Sequence, residues 1–421
     1  MLGLVEAGVV AAAMAGGGQA MPVAAPPCRI EGPRRVHGEI DARGRVTLRP
    51  LLVRCATRGR VTVRLRPRHG GLGRLRGVRF TVPVRTPSRI RLRGRAFADP
   101  ASRRSVLGRR VVVRVRARAV QRRFEVTLRR PKAAKALLGV GDQAPGMFED
   151  PLFAPLQVPI ARLVVPWDAM TGPDVAGWLE AARREGVEPL VAFGLGRGDR
   201  CPDAPCRLPS VRAYTVRFRA FRRSFPWVRA ITAWNEPNHI SQPTAGAPGR
   251  AARYLEAVRA ACLPCRVVAG DLLDSPDMGR YLARYRRALT RAPQVWGLHN
   301  YFDTTYGGTA GLRTMLGRVT GRIWLTETGG IVTNRRTSGR VGLPYDEARA
   351  ARGVRRAIAM ADASPRRVTR VYLYQWRGGH DRFDAGLLGP DGAPRPGYRV
   401  LRRALRGRAE APLVNGRPGP P

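Results

Sequence analysis

Two glutamates stand where chemistry could use them. Glu236 lies in Ala233-Trp234-Asn235-Glu236-Pro237-Asn238, and Glu327 in Leu325-Thr326-Glu327-Thr328-Gly329-Gly330. Each closes a short apolar run, so each carboxyl is expected at the end of a buried strand. Paired carboxyl groups suit hydrolysis of a glycosidic bond. One group protonates the leaving oxygen, and the other attacks the anomeric carbon or activates water. Either string alone recurs by chance, and a strand-end glutamate can simply cap a helix. The pair carries weight only if the fold brings both to one place.

The rhythm from residue 137 onward supplies such a fold. Apolar strand-like runs at 137–141, 161–166, 188–194, 230–235, 266–271, 295–301, 322–327 and 370–376 alternate with helical patterns. The helical patterns include 173–185, 210–224, 249–261, 277–291 and 346–362. Eight buried strands, each followed by a helix, predict a (β/α)8 TIM barrel over residues 137–407. A doubly wound open sheet is the rival. The strand count opposes it, as does the lack of a glycine-rich phosphate loop after the first strand. Barrel enzymes take their catalytic groups from the C-terminal ends of strands. Glu236 then ends strand four and Glu327 strand seven, on opposite sides of the barrel mouth.

These two motifs, in that order, resemble those of glycoside hydrolase clan A, which includes the family five cellulases and family thirty-nine xylosidases. The resemblance covers about residues 137–406 and nothing of 28–131, and no single family fits. It implies a retaining glycosidase working through a covalent glycosyl-enzyme, with Glu236 as general acid/base and Glu327 as nucleophile. Asn235 would hydrogen-bond the sugar 2-hydroxyl. Arg162 on strand two matches an arginine beside the nucleophile, where it would favour the charged form of Glu327. His299 and Tyr301 match a His-x-Tyr element, with Tyr301 expected to bond Glu327. Trp376 matches an aromatic floor under the sugar, with a cis peptide bond expected between Trp376 and Arg377. Arg377 itself has no counterpart in the clan. Glu236 is expected to be protonated at rest, its pKa raised by the charge of Glu327. Asp142 and Asp271, ending strands one and five, are candidates for sugar contact or for a structural role. Trp167 and Phe302 are candidates for stacking on sugar faces, and His239 reads as a loop residue. No metal or cofactor is implied. A transglycosylase, or a degenerate barrel that binds polysaccharide without cleaving it, remains an alternative.

Residues 28–131 differ in kind. They hold 31 arginines against five acidic residues, a net charge of +26 out of +46 for the whole chain. Runs such as Val61-Thr62-Val63-Arg64-Leu65-Arg66 alternate with period two, as half-buried strands do. A small antiparallel β-sandwich with arginine on its exposed faces is expected, joined by a short linker, 131–136, to the barrel. Among the 76 basic residues only Lys132 and Lys135 are lysine, a bias that reads as GC-rich coding. No zinc finger, RNP-type strand or basic heptad region accompanies the charge, which argues against a specific nucleic-acid binder. An anionic cell-wall polymer is the partner this surface would suit.

Residues 1–27 form an apolar, small-residue stretch expected to be a leader, with Val23-Ala24-Ala25 resembling a cleavage site, although no positive region precedes it. Residues 408–421 read as a flexible tail. The six cysteines fall into near pairs: Cys28 with Cys55, Cys201 with Cys206, Cys262 with Cys265. Local disulfides in a secreted or wall-associated protein are expected. A zinc site built from the last four is the rival. In a barrel, the 201/206 and 262/265 pairs lie on opposite faces and cannot share one ion.

Overall fold

The computed structural model describes residues 28–32, 35–40, 46–56, 59–67, 78–82, 88–92, 110–117, 120–129, 134–335, 341–379 and 383–409. The leader expected at 1–27 and nearly all of the expected tail lie outside them. Two compact units divide the chain, Met1–Lys132 and Ala133–Pro421.

The first unit is all-β. Its strands are β1 Cys28–Glu31, β2 Arg35–Ile40, β3 Val46–Cys55, β4 Gly59–Pro67, β5 Val78–Val82, β6 Ser88–Leu92, β7 Arg110–Ala117 and β8 Val120–Arg129. Alternation does what the sequence demands: Val113, Val115 and Ala117 of β7 are buried, whereas Arg116 between them is exposed. The strands form one hydrogen-bonded sheet in the order β1-β3-β2-β8-β7-β4-β5, with β6 on β3. The all-β unit expected from the sequence is present; its described pairs are antiparallel except β2–β8, which is parallel. Periodicity reports which face of a strand is buried and says nothing about which strands pair. Cys28 and Cys55 sit opposite each other on β1 and β3, and a disulfide joins them.

The second unit is the barrel. Its strands are β9 Leu137–Gly141, β10 Ile160–Pro166, β11 Glu188–Gly194, β12 Ala230–Thr232, β13 Arg266–Leu273, β14 Val295–His299, β15 Arg322–Thr328 and, after two short loop strands, β18 Val368–Tyr374. All eight are parallel, and β18 pairs with β9 to close the ring. The loops after β15 and β18 contribute β16 Thr333–Arg335, β17 Val341–Leu343 and β19 Phe383–Asp384, a small antiparallel sheet. The helices are α1 Pro173–Arg184, α2 Val211–Ser224, α3 Pro248–Ala261, α4 Met278–Arg287, α5 Tyr301–Tyr306, α6 Ala310–Arg318, α7 Glu347–Ala363 and α8 Pro396–Ala409. They lie where the 3.6-residue period places them. In α1, for example, Val175, Trp178, Leu179 and Ala182 are the buried face, one stripe turned to the sheet.

Five strand ends differ from expectation: β13 and β15 run on to Leu273 and Thr328, and three strands stop early. β12 stops at Thr232, β14 stops at His299 so that Tyr301 opens α5, and β18 stops at Tyr374. Past the early ends the chain stays largely buried, at Ala233, Trp234, Asn300, Tyr301 and Trp376.

Candidate active site

The floor of the site is a buried cluster with one residue from each of seven barrel strands: Ile160, Leu190, Ala230, Val268, Val295, Trp324 and Tyr372. Side chains on a strand alternate between faces. Arg162 lies two residues beyond Ile160, so it points into the barrel one layer above this floor. His299, four beyond Val295, and Tyr374, two beyond Tyr372, share that parity. Glu236 sits in the turn after β12, in the left-handed region at φ 43°, and its N–H donates to the Asp271 carbonyl at 3.1 Å. Glu327 lies where the pairing of β15 with β18 shifts register, between Leu325 and Thr328.

Arg162 is the centre of the cluster, buried to 1% exposure. Its Nη1 donates to Glu327 Oε2 at 2.6 Å. Its Nη2 donates to Asp271 Oδ2 at 2.8 Å and to Asn235 Oδ1. Tyr301 donates its hydroxyl to Glu327 Oε1 at 3.2 Å. His299, wholly buried, meets Glu236 Oε1 through Nδ1 at 2.9 Å and lies 3.3 Å from Asp271 Oδ2 through Nε2. One oxygen of Glu236 and one of Glu327 come within 4.8 Å of each other.

The charges follow from this packing. Burial lowers the His299 pKa, but the carboxylates of Asp271 and Glu327 outweigh it and push the imidazole up to about 10. Burial raises Glu236, but the hydrogen bond and charge of His299 prevail and hold its carboxyl below the usual range. This direction is opposite to the expected rise: the hydrogen bond and charge of His299, rather than the charge of Glu327, govern the Glu236 carboxyl. Asp271, despite its burial, is held well below the usual carboxylate range by Arg162 and His299. Tyr301 is pushed up by burial and by Glu327, which keeps it a donor.

Glu236, His299 and Glu327 each offer an atom within the same 4.8 Å. Arg162 and the protonated His299 already supply positive charge there, and Nδ1 is committed to Glu236. The set reads as a hydrogen-bonded ion cluster rather than a ligand set.

Of the residues singled out in the sequence, Glu236, Glu327, Asn235, Arg162, Asp271, His299 and Tyr301 come together. Asp142 does not join them. Its two oxygens accept from the backbone N–H groups of Ala144, Trp376 and Arg377, and burial raises its pKa. It ties the ends of β9 and β18 together. Trp376 is 1% exposed, with Nε1 on Asp150 and its ring against Phe153 and Tyr398, so it offers no face to a sugar. The non-prolyl cis bond is at Tyr374–Gln375, two residues before the expected place. Arg377 pairs with Asp150 at 3.1 Å. Trp167 packs half-buried against the core. Phe302 is exposed and packs against Tyr306 with the rings tilted. His239 lies 4.0 Å from Glu236 Oε2 and bonds Ser241.

Sequence reasoning missed two aromatic residues. Phe383 of β19 packs edge-on against Tyr301 at 5.3 Å and stacks against Tyr374 at 6.4 Å. With Tyr301 they form an aromatic wall beside Glu327. The parity of Tyr374 with Tyr372 could have revealed the first; nothing local marks Phe383. The cysteines pair as expected, Cys201 with Cys206 and Cys262 with Cys265.

No family model matches the chain, and no curated protein matches it. Among solved structures, the chain is similar to a family 39 glycoside hydrolase from Bacteroides cellulosilyticus WH2, with 13% identity, 90% of this chain and 82% of that one covered, and a TM-score of 0.45. It is also similar to Bacteroides uniformis beta-glucuronidase 2, with 13% identity and a TM-score of 0.47, covering 90% of this chain and 50% of that one. A third is GH5_18 from Streptomyces cattleya, with 15% identity, a TM-score of 0.46, and 68% and 83% of the two chains covered.

Proposed function

We propose that the protein is a retaining glycoside hydrolase of the clan A type, acting on an oligo- or polysaccharide. One observation carries the reading: two carboxylates facing each other with oxygens within 4.8 Å, each with a different set of partners. Retaining glycosidases hold their carboxyls about 5–5.5 Å apart, and inverting ones about 6.5–9.5 Å apart to admit a water. Glu327 is held by Arg162 and Tyr301, which fixes one oxygen pair for attack on the anomeric carbon. Glu236 bonds His299, and this pair carries one proton to deliver to the leaving oxygen. As the bond from the anomeric carbon to the leaving oxygen breaks, its electron pair goes to that oxygen and Glu327 bonds the carbon. Water then attacks the carbon, its proton returns to Glu236, and the Glu327 carboxylate leaves. Asn235 would bond the sugar 2-hydroxyl, and the wall of Tyr374 and Phe383 would pack on the sugar's apolar face.

The two carboxylates should fail differently when removed, and this tests the reading. Glu327→Ala should lose almost all hydrolysis of aryl glycosides, with azide restoring turnover to a glycosyl azide of inverted configuration. Glu236→Ala should still cleave substrates with good leaving groups, and azide should give product of retained configuration. Inverted product from the wild type would sink the retaining assignment. Undiminished activity in either variant would sink the residue assignment.

The +26 charge of residues 28–131 favours an anionic polysaccharide partner for the first unit. Among the described residues no helix is long and apolar enough to cross a membrane. Three disulfides favour an oxidising, secreted or wall-associated location.

A further inference from the structure

Asp271 is buried by a special arrangement of backbone. The pairing of β13 with β14 shifts register between Gly270 and Leu272, which leaves Asp271 as the extra residue of a bulge. Bulges re-aim a side chain and recur beside active sites. Both bulge residues are left-handed, Gly270 at φ 81° and Asp271 at φ 59°. A non-glycine residue is strained there and persists where the surroundings impose it. Opposite, Gly297 leaves room: a Cβ there would stand 2.4 Å from Asp271 Oδ1. The carboxylate so placed is 0% exposed and cannot reach a sugar. It reaches Arg162 Nη2 at 2.8 Å and His299 Nε2 at 3.3 Å through the same oxygen. His299 in turn meets Glu236 through its other nitrogen, at 2.9 Å.

We propose that Asp271 is a positioning residue that anchors His299 by Nε2, so that Nδ1 carries the proton Glu236 delivers and recovers. This deepens the glycosidase reading and rests on it for the catalytic step. An imidazole has two nitrogens, and its second partner fixes the charge and orientation of the first. With a buried carboxylate on Nε2, the ring stays doubly protonated and Nδ1 can only donate. The proton passes from Nδ1 to the Glu236 carboxylate, leaving neutral imidazole, and then to the leaving oxygen as the glycosidic bond breaks. In the second half-reaction the attacking water loses a proton to Glu236, and the proton returns to Nδ1. Four charged groups face the ring: Asp271 from β13, Arg162 from β10, Glu236 from the turn after β12 and Glu327 from β15. Tyr285 of α4 stands behind the bulge, 3.5 Å from the Gly270 N–H. Asp271 also pairs with Arg162, so removing its charge alters two ion pairs, and the ring titration is what reports on His299 itself.

The chain has five histidines, so the His299 ring can be followed by nitrogen NMR in the full protein. In the wild type both ring nitrogens should stay protonated at pH 8, and the basic limb of kcat/KM should lie well above neutral. In Asp271→Asn the ring should lose its proton at least one pH unit lower. The basic limb should move down with it and the acidic limb should stay. Asp271→Glu should recover part of the shift. A uniform loss of activity with both limbs unmoved would reduce Asp271 to a structural counter-ion for Arg162 and overturn the proposal. If Asp271→Asn does not fold, the wild-type ring decides: a neutral His299 at pH 8 overturns the proposal. If no glycoside is hydrolysed, the glycosidase reading fails, while the His299 titration in the wild type and in Asp271→Asn still accepts or rejects the Asp271–His299 coupling.

Discussion

Arg162 holds two carboxylates at once, Asp271 at 2.8 Å and Glu327 at 2.6 Å, from a site 1% exposed. Removing one member of such a buried set leaves the others uncompensated, which typically costs about 3–5 kcal/mol. Arg162→Met should therefore lower barrel stability by that order and abolish activity. All seven tryptophans lie between residues 167 and 376, so urea unfolding followed by tryptophan fluorescence reports on the barrel. A loss below about 1 kcal/mol, the range of exposed pairs, would show that the cluster is wetter than its burial implies. His299 adds a pH dependence. Its folded pKa of about 10 lies above the ordinary value of 6.5, so its stabilising contribution is full below that ordinary value. The contribution is lost as pH rises through the folded pKa. Wild-type stability should decline from pH 7 to 10, and His299→Gln should flatten the decline.

At the scale of elements, α7 sits directly on the turn that follows Glu327. A Cβ on Gly353 would stand 2.7 Å from Gly330 Cα and 2.8 Å from the Gly329 carbonyl oxygen, and one on Gly330 would overlap the Ala350 carbonyl. Two glycines thus let helix and strand exit touch backbone to backbone. Gly329, at φ 146°, makes the turn itself. Overpacking a tight contact costs about 1–3 kcal/mol, and here the displaced segment begins two residues beyond Glu327. Gly353→Ala should lower both the unfolding midpoint and kcat, with KM little changed. Normal kcat at reduced stability would show that the turn moves without carrying Glu327 with it. The start of the same helix offers a control. Asp346 caps α7 by accepting from the Arg349 N–H at 2.8 Å, and loss of such a cap costs about 1 kcal/mol. Asp346→Ala should show that loss in urea without a change in kcat.

At the scale of the molecule, charge and chemistry are segregated along the chain. The first unit carries +26 within 28–131, whereas the five residues of the ion cluster, Arg162, Glu236, Asp271, His299 and Glu327, lie between 162 and 327. Interactions of exposed charges are screened over about 10 Å at 0.1 M salt and about 3 Å at 1 M. The full chain should bind an immobilised anionic polysaccharide at low salt and elute as salt rises, and pass over a neutral one. Retention that survives 1 M salt would indicate recognition by shape rather than charge. All six cysteines are paired, so the native protein should show no titratable thiols, and its intact mass should rise by six hydrogen atoms on reduction.

The sequence by itself determined the architecture and singled out the two glutamates proposed as the catalytic pair. Strand and helix periods are set by backbone geometry and by which face must leave water. Eight apolar runs separated by amphipathic helices therefore specify a closed barrel, with Glu236 just beyond the fourth strand and Glu327 near the end of the seventh. Arg162, His299 and Tyr301 were legible for a further reason: a resemblance tied each to its strand. What tertiary structure decided was local geometry across strands. A bulge turned Asp271 into the barrel, a parallel pair joined β2 to β8, and β18 ended early enough to put Tyr374 at the mouth and bury Trp376. The charge state of Glu236 also belongs here. It depends on a histidine 63 residues away, itself governed by the carboxylate of Asp271. Periodicity sees one strand at a time, whereas a proton is placed by every charge within a few ångströms, and only the folded chain brings those together.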